Sequence, residues 1–442
     1  MNTSFYNGIS GIKSKQFGID VWAGNIANIN KPGFKYSNPE FSTVFDTQMA
    51  NSLFDPLTSD IGVGSRVAST TINFQQGGFI TTESKYDMAI EGNGWFGVLG
   101  MDGEKYYTRN GAFNRDAEGY LVDADGNYVT GTLSNNVQNG SIIQNPTMEI
   151  SLTTPDAQTR INLPEELTIP PEATSFVNFK GSLDPKPIYE FDPDVGRKVE
   201  VPNIEVFRTN IFDNQGNANT LEITFRKQVP QPPSHTIWDA EAKLFDPDKN
   251  LLTTQNGQIG FNERGAIVSN TLTSIDNNGT PVILGFGTFY DPNIPNSGYD
   301  GLVSLTDLDS LRAIEKDGHG VGHLQEYGID GYGNIIAQFD NGSSIPIAKV
   351  AIYHFQNDAG LERETPVYFH QTSNSGKPIF YKDAQGNVIE SSRLQNRKLE
   401  MSNLDLANAL TELLVMQKAF DASAKSITTS DQLIQNAINM KK

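Results

Sequence analysis

At each end of the chain an apolar residue recurs on a heptad spacing, and the long stretch between the ends has no such pattern. Near the N-terminus Phe5, Ile9, Ile12, Ile19 and Ile26 follow a 4-3 spacing whose remaining positions are Gln16 and Ala23. This spacing is the a/d seam of a helix that packs against another helix. Asn28-Ile29-Asn30-Lys31-Pro32-Gly33 supplies the stop, since proline cannot continue the helix. Near the C-terminus Leu399, Leu406, Leu410, Leu413, Phe420, Ala424, Ile427, Ile434 and Ile438 keep one register, interrupted by Asn403, Gln417 and Asp431. Residues 399–440 hold no Pro or Gly, which predicts one long helix starting near Ser402-Asn403. An amphipathic helix owes its stability to what covers its apolar face. The two stripes therefore need either each other or copies from neighbouring subunits, and polar seam residues of this kind tend to fix register in an assembly.

Between the ends, turns dominate. Asp-x-x-Gly-Asn occurs four times, at 123–127, 213–217, 330–334 and 383–387, beside short runs rich in Val, Ile, Tyr and Phe. Gly and Asn take left-handed backbone conformations readily, so these segments read as strand-turn-strand units. Prolines gather over 145–200 and at Pro230-Gln231-Pro232-Pro233, which suggests domain-edge loops, and domain edges are expected near 147 and 317. The prediction is a mixed α and β, multidomain chain. Long terminal helices would pair as a coiled-coil-like inner domain, with β-rich middle and outer domains between them.

Charge and composition narrow the function. The chain has 442 residues and a formal charge of −19, and with +1 on residues 1–50 and +1 on 395–442, the middle carries −21. Nucleic acid and anionic membranes are poor partners for that surface. There are no cysteines, which excludes disulfides, thiolate nucleophiles and cysteine-ligated metals. No apolar run reaches membrane-spanning length, so no membrane insertion is expected. The opening Met1-Asn2-Thr3-Ser4-Phe5-Tyr6 lacks the basic and apolar regions of a cleaved signal.

Three segments invite a chemical reading and fail its requirements. Gly92-Asn93-Gly94-Trp95-Phe96-Gly97 fits G-x-G-x-x-G, yet Val98-Leu99-Gly100 follows where a dinucleotide site needs a helix. We read it as hairpin glycines. Asp123-Ala124-Asp125-Gly126-Asn127 resembles a calcium loop but has Tyr128 and Ser134 where the EF-hand needs Gly and Glu. His319 and His323 are separated by a glycine-rich Gly320-Val321-Gly322, which predicts a loop with solvated imidazoles instead of a metal-binding helix. No catalytic residue, cofactor or metal site is assigned.

Three separated blocks carry a resemblance. They are Gly8-Ile9-Ser10-Gly11 with Asn25-Ile26-Ala27-Asn28-Ile29-Asn30-Lys31-Pro32-Gly33-Phe34-Lys35; then Gln75-Gln76-Gly77-Gly78 and Asp87 to Phe96, running on to Tyr107-Thr108-Arg109-Asn110-Gly111-Ala112-Phe113; and finally Leu399-Glu400-Met401-Ser402-Asn403-Leu404-Asp405-Leu406 with Thr428-Thr429-Ser430-Asp431-Gln432. In order and spacing they resemble the bacterial flagellar rod–hook axial family. Residues 147–317 form a large insertion, and Tyr327-Gly328-Ile329-Asp330 and Phe355 to Leu361 are similar to the hook branch of that family. Lys31-Pro32-Gly33 departs from the more frequent Thr-x-Gly, and a distal rod or minor hook paralogue is the alternative within the family. A β-rich surface adhesin is the alternative outside it, and it would need a secretion signal.

The resemblance implies a domain order: an N-terminal inner helix at 1–30, a joint segment at 31–76, the middle domain at 77–146 and 318–394, an outer β domain at 147–317, and a C-terminal inner helix at 395–442. It implies a homopolymer, a flexible curved tube that passes torque from rod to filament. The implied partners are the distal rod protein, the hook cap and the hook–filament junction proteins. Export would run through the flagellar secretion apparatus without a cleaved signal. On this reading the assembly interface consists of Phe5, Ile9, Ile12, Ile19, Ile26, Leu399, Leu406, Leu410, Leu413, Phe420, Ile427, Ile434 and Ile438.

Overall fold

Helix α1 (Thr3–Ala27) opens the chain and helix α2 (Leu406–Met440) closes it, with short strands filling the span between them. The computed structural model describes residues 3–45, 62–232, 235–306, 312–386, 388–389 and 391–440. Part of the predicted joint (46–61), Pro233 of the proline run and Asn387 of the fourth turn lie outside the described residues. The fold is β-rich with two terminal helices and several sheets.

After α1 the chain turns at Pro32-Gly33 and enters an antiparallel ribbon, Ser37–Phe45 against Gly62–Ile72, in register Ser37↔Ile72. The Asn25 side chain holds the entry, donating to the Ser37 carbonyl (2.7 Å) and accepting from its N–H (3.0 Å). Ser14 meets Ser65 at 2.7 Å and so ties the helix to the ribbon.

Three hydrophobic cores follow, one of them an aromatic cluster of Trp95, Tyr107, Tyr353, Phe355, Phe369 and Phe380 beside the first sheet. The first sheet interleaves strands from both sides of the insertion: Gly322–Ile329, Asn334–Phe339 and Ser344–Val350 lead through Tyr128–Leu133 and Trp95–Leu99 to Lys105–Thr108. Its core includes Phe96, Phe113, Val129, Ile161, Leu163, Leu167, Ile169 and Ile335. The second core joins a five-stranded meander, Ile204–Phe212 to Ile267–Asn270, with a five-stranded sheet built around Phe176–Ser182. Strand Ala218–Lys227 alternates buried and half-buried residues, sending Leu221, Ile223 and Phe225 inward, the period of a sheet with one well-covered face. The packing moves the predicted edge at 147: residues 161–169 belong to the first core, and the second begins at Val177. The prolines of 145–171 mark irregular chain that contributes side chains to the first core.

The Asp-x-x-Gly-Asn turns share one geometry in the three fully described copies. The Asp carboxylate accepts from the backbone N–H groups two and four residues on, and its second oxygen accepts from the Asn amide. Gly126, Gly216 and Gly333 sit at φ of 84°, 84° and 80°, in the left-handed region. Asp246 to Asn250 builds the same turn with Lys249 at φ 65°, a copy the glycine pattern could not reveal.

At Gly92–Gly97 no helix opens, but the flanking strands do not form a hairpin with each other. Met88–Glu91 pairs with Arg393–Asn396, and Trp95–Leu99 pairs with Lys105–Thr108. His323 is exposed at a strand start, while His319 is half-buried beside Asn341, so only one of the two imidazoles is freely solvated. Among the described residues no cluster of His, Cys, Asp and Glu has the grouping of a metal site. Likewise no described helix is long and apolar enough to cross a membrane.

The C-terminal helix starts later than its heptads suggest. Lys398–Glu400 is a strand paired with Phe79–Thr81, with Leu399 opposite Ile80. Non-local pairing overrides helix periodicity there. The cap is Asp405, whose side chain accepts from the N–H groups of Ala407 (2.8 Å) and Asn408 (3.2 Å).

Candidate assembly interface

The two helices lie antiparallel and close, because small residues of α1 face α2. A Cβ placed on Gly8 would lie 2.6 Å from the Ile427 side chain, and one on Gly11 would lie 2.6 Å from Ser423 Oγ. Gly18 faces Met416 in the same way. At the inner end Trp22, Leu404 and Ala409 form a small core, with Ile26, Leu413 and Met416 packed against it.

This arrangement divides the predicted interface residues. Phe5, Ile9, Ile12, Ile19, Ile26, Leu413, Phe420 and Ile427 are half-buried within the chain. Leu406, Leu410, Ile434 and Ile438 are exposed. Leu399 is buried in the strand described above, away from any helix seam. The stretch 431–440 of α2 is exposed on all sides, with Leu433 at 61% and Ile438 at 60%.

Below the helices, the three sequence blocks converge on one carboxylate. Glu400 is 0% exposed and accepts from Lys35 Nζ (2.6 Å), which is 1% exposed, and from Arg109 Nη1 (3.3 Å). Its Oε1 also accepts from the Gly77 N–H at 2.9 Å. Lys35 donates further to the Gln75 carbonyl (2.7 Å) and Arg109 to that of Gly92 (2.9 Å). Burial pulls both cations below their ordinary pKa values, and the charge of Glu400 opposes that pull.

Backbone contacts tighten the same junction. The Gly33 N–H donates to the Glu400 carbonyl at 2.7 Å, and the Met401 N–H donates to that of Gly78 at 2.8 Å. The Asn403 amide donates to the carbonyls of Asn73 (2.8 Å) and Gln75 (2.9 Å) and accepts from the Tyr36 N–H (3.1 Å). A side chain at Gly33 would enter the Arg109–Asn110 peptide, and one at Gly77 would meet the Met401 carbonyl at 2.0 Å. These glycines are set by close approach of backbones.

The sequence reading quoted Lys35, Arg109 and Glu400 inside their blocks without giving them a role. No local pattern marks them: Lys35 lies between Phe34 and Tyr36, Arg109 between Thr108 and Asn110, and Glu400 between Leu399 and Met401.

Comparison with known proteins agrees with this layout. Family models match as "Flagellar hook protein FlgE/F/G D1 domain" over residues 89–182, "Flagellar basal body protein FlaE D2 domain" over 182–327, and "Flagellar basal body rod FlgEFG protein C-terminal" over 395–440. The chain is 29% identical over 474 residues to the flagellar hook protein FlgE of Borreliella burgdorferi, covering 100% of both chains. It is 27% identical over 481 residues to that of Treponema pallidum, again covering 100% of both. In fold it resembles the crystal structure of Helicobacter pylori flagellar hook protein FlgE2, with a TM-score of 0.51 and 16% identity, over 73% of this chain and 100% of that one. Hook-domain models matching in chain order, and hook proteins matching from end to end, place the chain in the flagellar hook protein family.

Proposed function

We propose that the chain is the repeating structural subunit of the bacterial flagellar hook, a self-assembling, bendable tube that carries torque from rod to filament. The observation that carries this reading is the open end of α2, where Leu433, Ile434 and Ile438 have no cover among the described residues of their own chain. Water does not favour leaving such a stripe bare on a helix, and a neighbouring copy supplies the missing face. In the assembly α1 and α2 form an inner layer with coiled-coil-like contacts between copies. The buried Lys35–Glu400–Arg109 cluster passes load from that layer into the first β core.

The joint (31–76) connects the helices to a middle domain, 77–170 with 318–400, and residues 174–317 form an outer domain. The subunit's site of action is the hook, outside the cell, reached through the flagellar export apparatus. The distal rod protein, the hook cap and the hook–filament junction proteins meet its two ends. Electron microscopy of the purified chain at high concentration tests the reading. Hollow tubes of uniform diameter support it, and monomers that persist under all polymerising conditions defeat it.

A further inference from the structure

Ser37 opens the ribbon, and two distant parts of the chain hold it. The Asn25 side chain of α1 clasps its backbone. Its hydroxyl accepts from Arg363 Nη1 at 3.0 Å, and Arg363 Nη2 donates to the Lys35 carbonyl. Arg363 lies in Glu362–Arg363, the strand at one edge of the first sheet, opposite Phe369 in register. Its guanidinium sits over two rings, 5.3 Å from the centre of Phe34 and 5.4 Å from that of Phe369. The side chain thus spans from the aromatic core, through Phe369, to the joint, through Phe34, Lys35 and Ser37.

Its charge sets it apart from the neighbouring cluster. Lys35 and Arg109 share Glu400, whereas among the described residues no carboxylate pairs with Arg363. Its Nε is buried without a partner. Burial alone pulls its pKa down to about 10, which leaves it charged near neutral pH. Hydrogen bonds to one carbonyl and one hydroxyl, with two ring faces, make the whole tie. Parting it strands no second buried charge, while parting Glu400 from its lysine and arginine strands three.

We propose that Arg363 sets the angle between the helix pair with its joint and the middle domain, and that its clasp yields when this angle changes. The proposal rests on the hook-subunit reading and deepens it. In a bent tube the copies on the two sides of the curve cannot all keep one angle. A tie that parts without stranding charge gives before one that does. The planar guanidinium also keeps contact with a ring as it slides over it. Arg363 acts through Ser37 and Lys35, so it is a positioning residue.

The absence of native cysteine lets spin labels be placed freely. In the full-length monomer, labels at Lys13→Cys in α1 and Glu118→Cys in the first core's domain, both exposed, report the angle as a distance distribution. Labels at Glu118→Cys and Gln338→Cys report the middle domain alone. Arg363→Met should widen the first distribution at least about twofold and leave the second unchanged. Arg363→Lys keeps the charge but loses the planar fork, and should widen the first distribution too. An unchanged first distribution in Arg363→Met overturns the proposal. So does widening of both, which would make Arg363 a support of the fold, and so does a lysine variant as narrow as the parent, which would leave the fork no role. These distances need no assembled tube, so they are separate from the hook-subunit reading, which falls if the parent chain forms no tubes. Tubes of Arg363→Met should bend more easily, with a persistence length in electron micrographs at least about twofold shorter, and equal stiffness overturns the proposal.

Discussion

Glu400 and Glu326 each accept from a lysine at 2.6 Å, and their surroundings make these contacts energetically unlike. Lys85–Glu326 is exposed to water, so Glu326→Gln should leave the unfolding midpoint essentially unchanged. Glu400→Gln instead leaves Lys35 and Arg109 buried without a counter-charge, at a cost of about 3–5 kcal/mol. Denaturant titration of the two variants checks the contrast, and equal losses would refute it. A second residue-level expectation concerns acid. The Asn250 side-chain amide, then its backbone N–H, hold Asp246 below the usual carboxylate range. A depressed folded pKa contributes stability that is complete above the unfolded value of about 3.9 and is lost as pH falls through the lower folded value. The stability gap between the parent chain and Asp246→Ala should therefore close on acidification below about pH 4, as pH-dependent melting would show. Residues 35, 109 and 400 meet only in the folded chain, and no spacing rule spans that separation. Their clustering was not legible, although each lay in a block that resembled the family.

Single elements carry the next two expectations. In the Asp246–Asn250 turn Lys249 occupies a left-handed position held by glycine in the sister turns. Lys249→Gly should stabilise the chain by about 0.5–1 kcal/mol, the backbone relief being partly offset by the freer unfolded chain. A lowered melting temperature would contradict this. For α2, Ile434→Asp with Ile438→Asp should leave monomer unfolding unchanged, because both residues are exposed in the single chain, while abolishing tube formation. Leu413→Asp touches the core around Trp22 and should cost the monomer itself about 1–3 kcal/mol. Light scattering set beside calorimetry separates these effects, and normal polymerisation of the Ile434/Ile438 variant would remove the end of α2 from the interface. Heptad spacing found both helices, because side-chain periodicity is local. It misplaced the start of α2 because the pairing of Lys398–Glu400 with Phe79–Thr81 is not.

At the scale of the molecule, the β-rich character of the span between the helices was legible from turn chemistry, and the edge of the insertion was not. Proline content pointed to 147, but Ile161, Leu163, Leu167 and Ile169 pack into the first core. The crossing point sits at Glu172 and His319, whose backbones exchange two hydrogen bonds of 2.9 Å. The isolated bridge there holds the ends of the insertion side by side, so a few residues can join them, and closing so short a loop adds little entropy cost. Replacing residues 174–317 with a short Gly/Ser linker should then yield a soluble chain that keeps the first core and both helices. It should show one melting transition in place of the two expected when separate cores unfold independently. Its tubes should still form, straighter or softer than the parent's, because contacts far from a tube's axis undergo the largest length changes on bending. Aggregation of this shorter chain, with its junctions at the paired bridge, would mean that the second core supports the first and that the insertion is no separable unit.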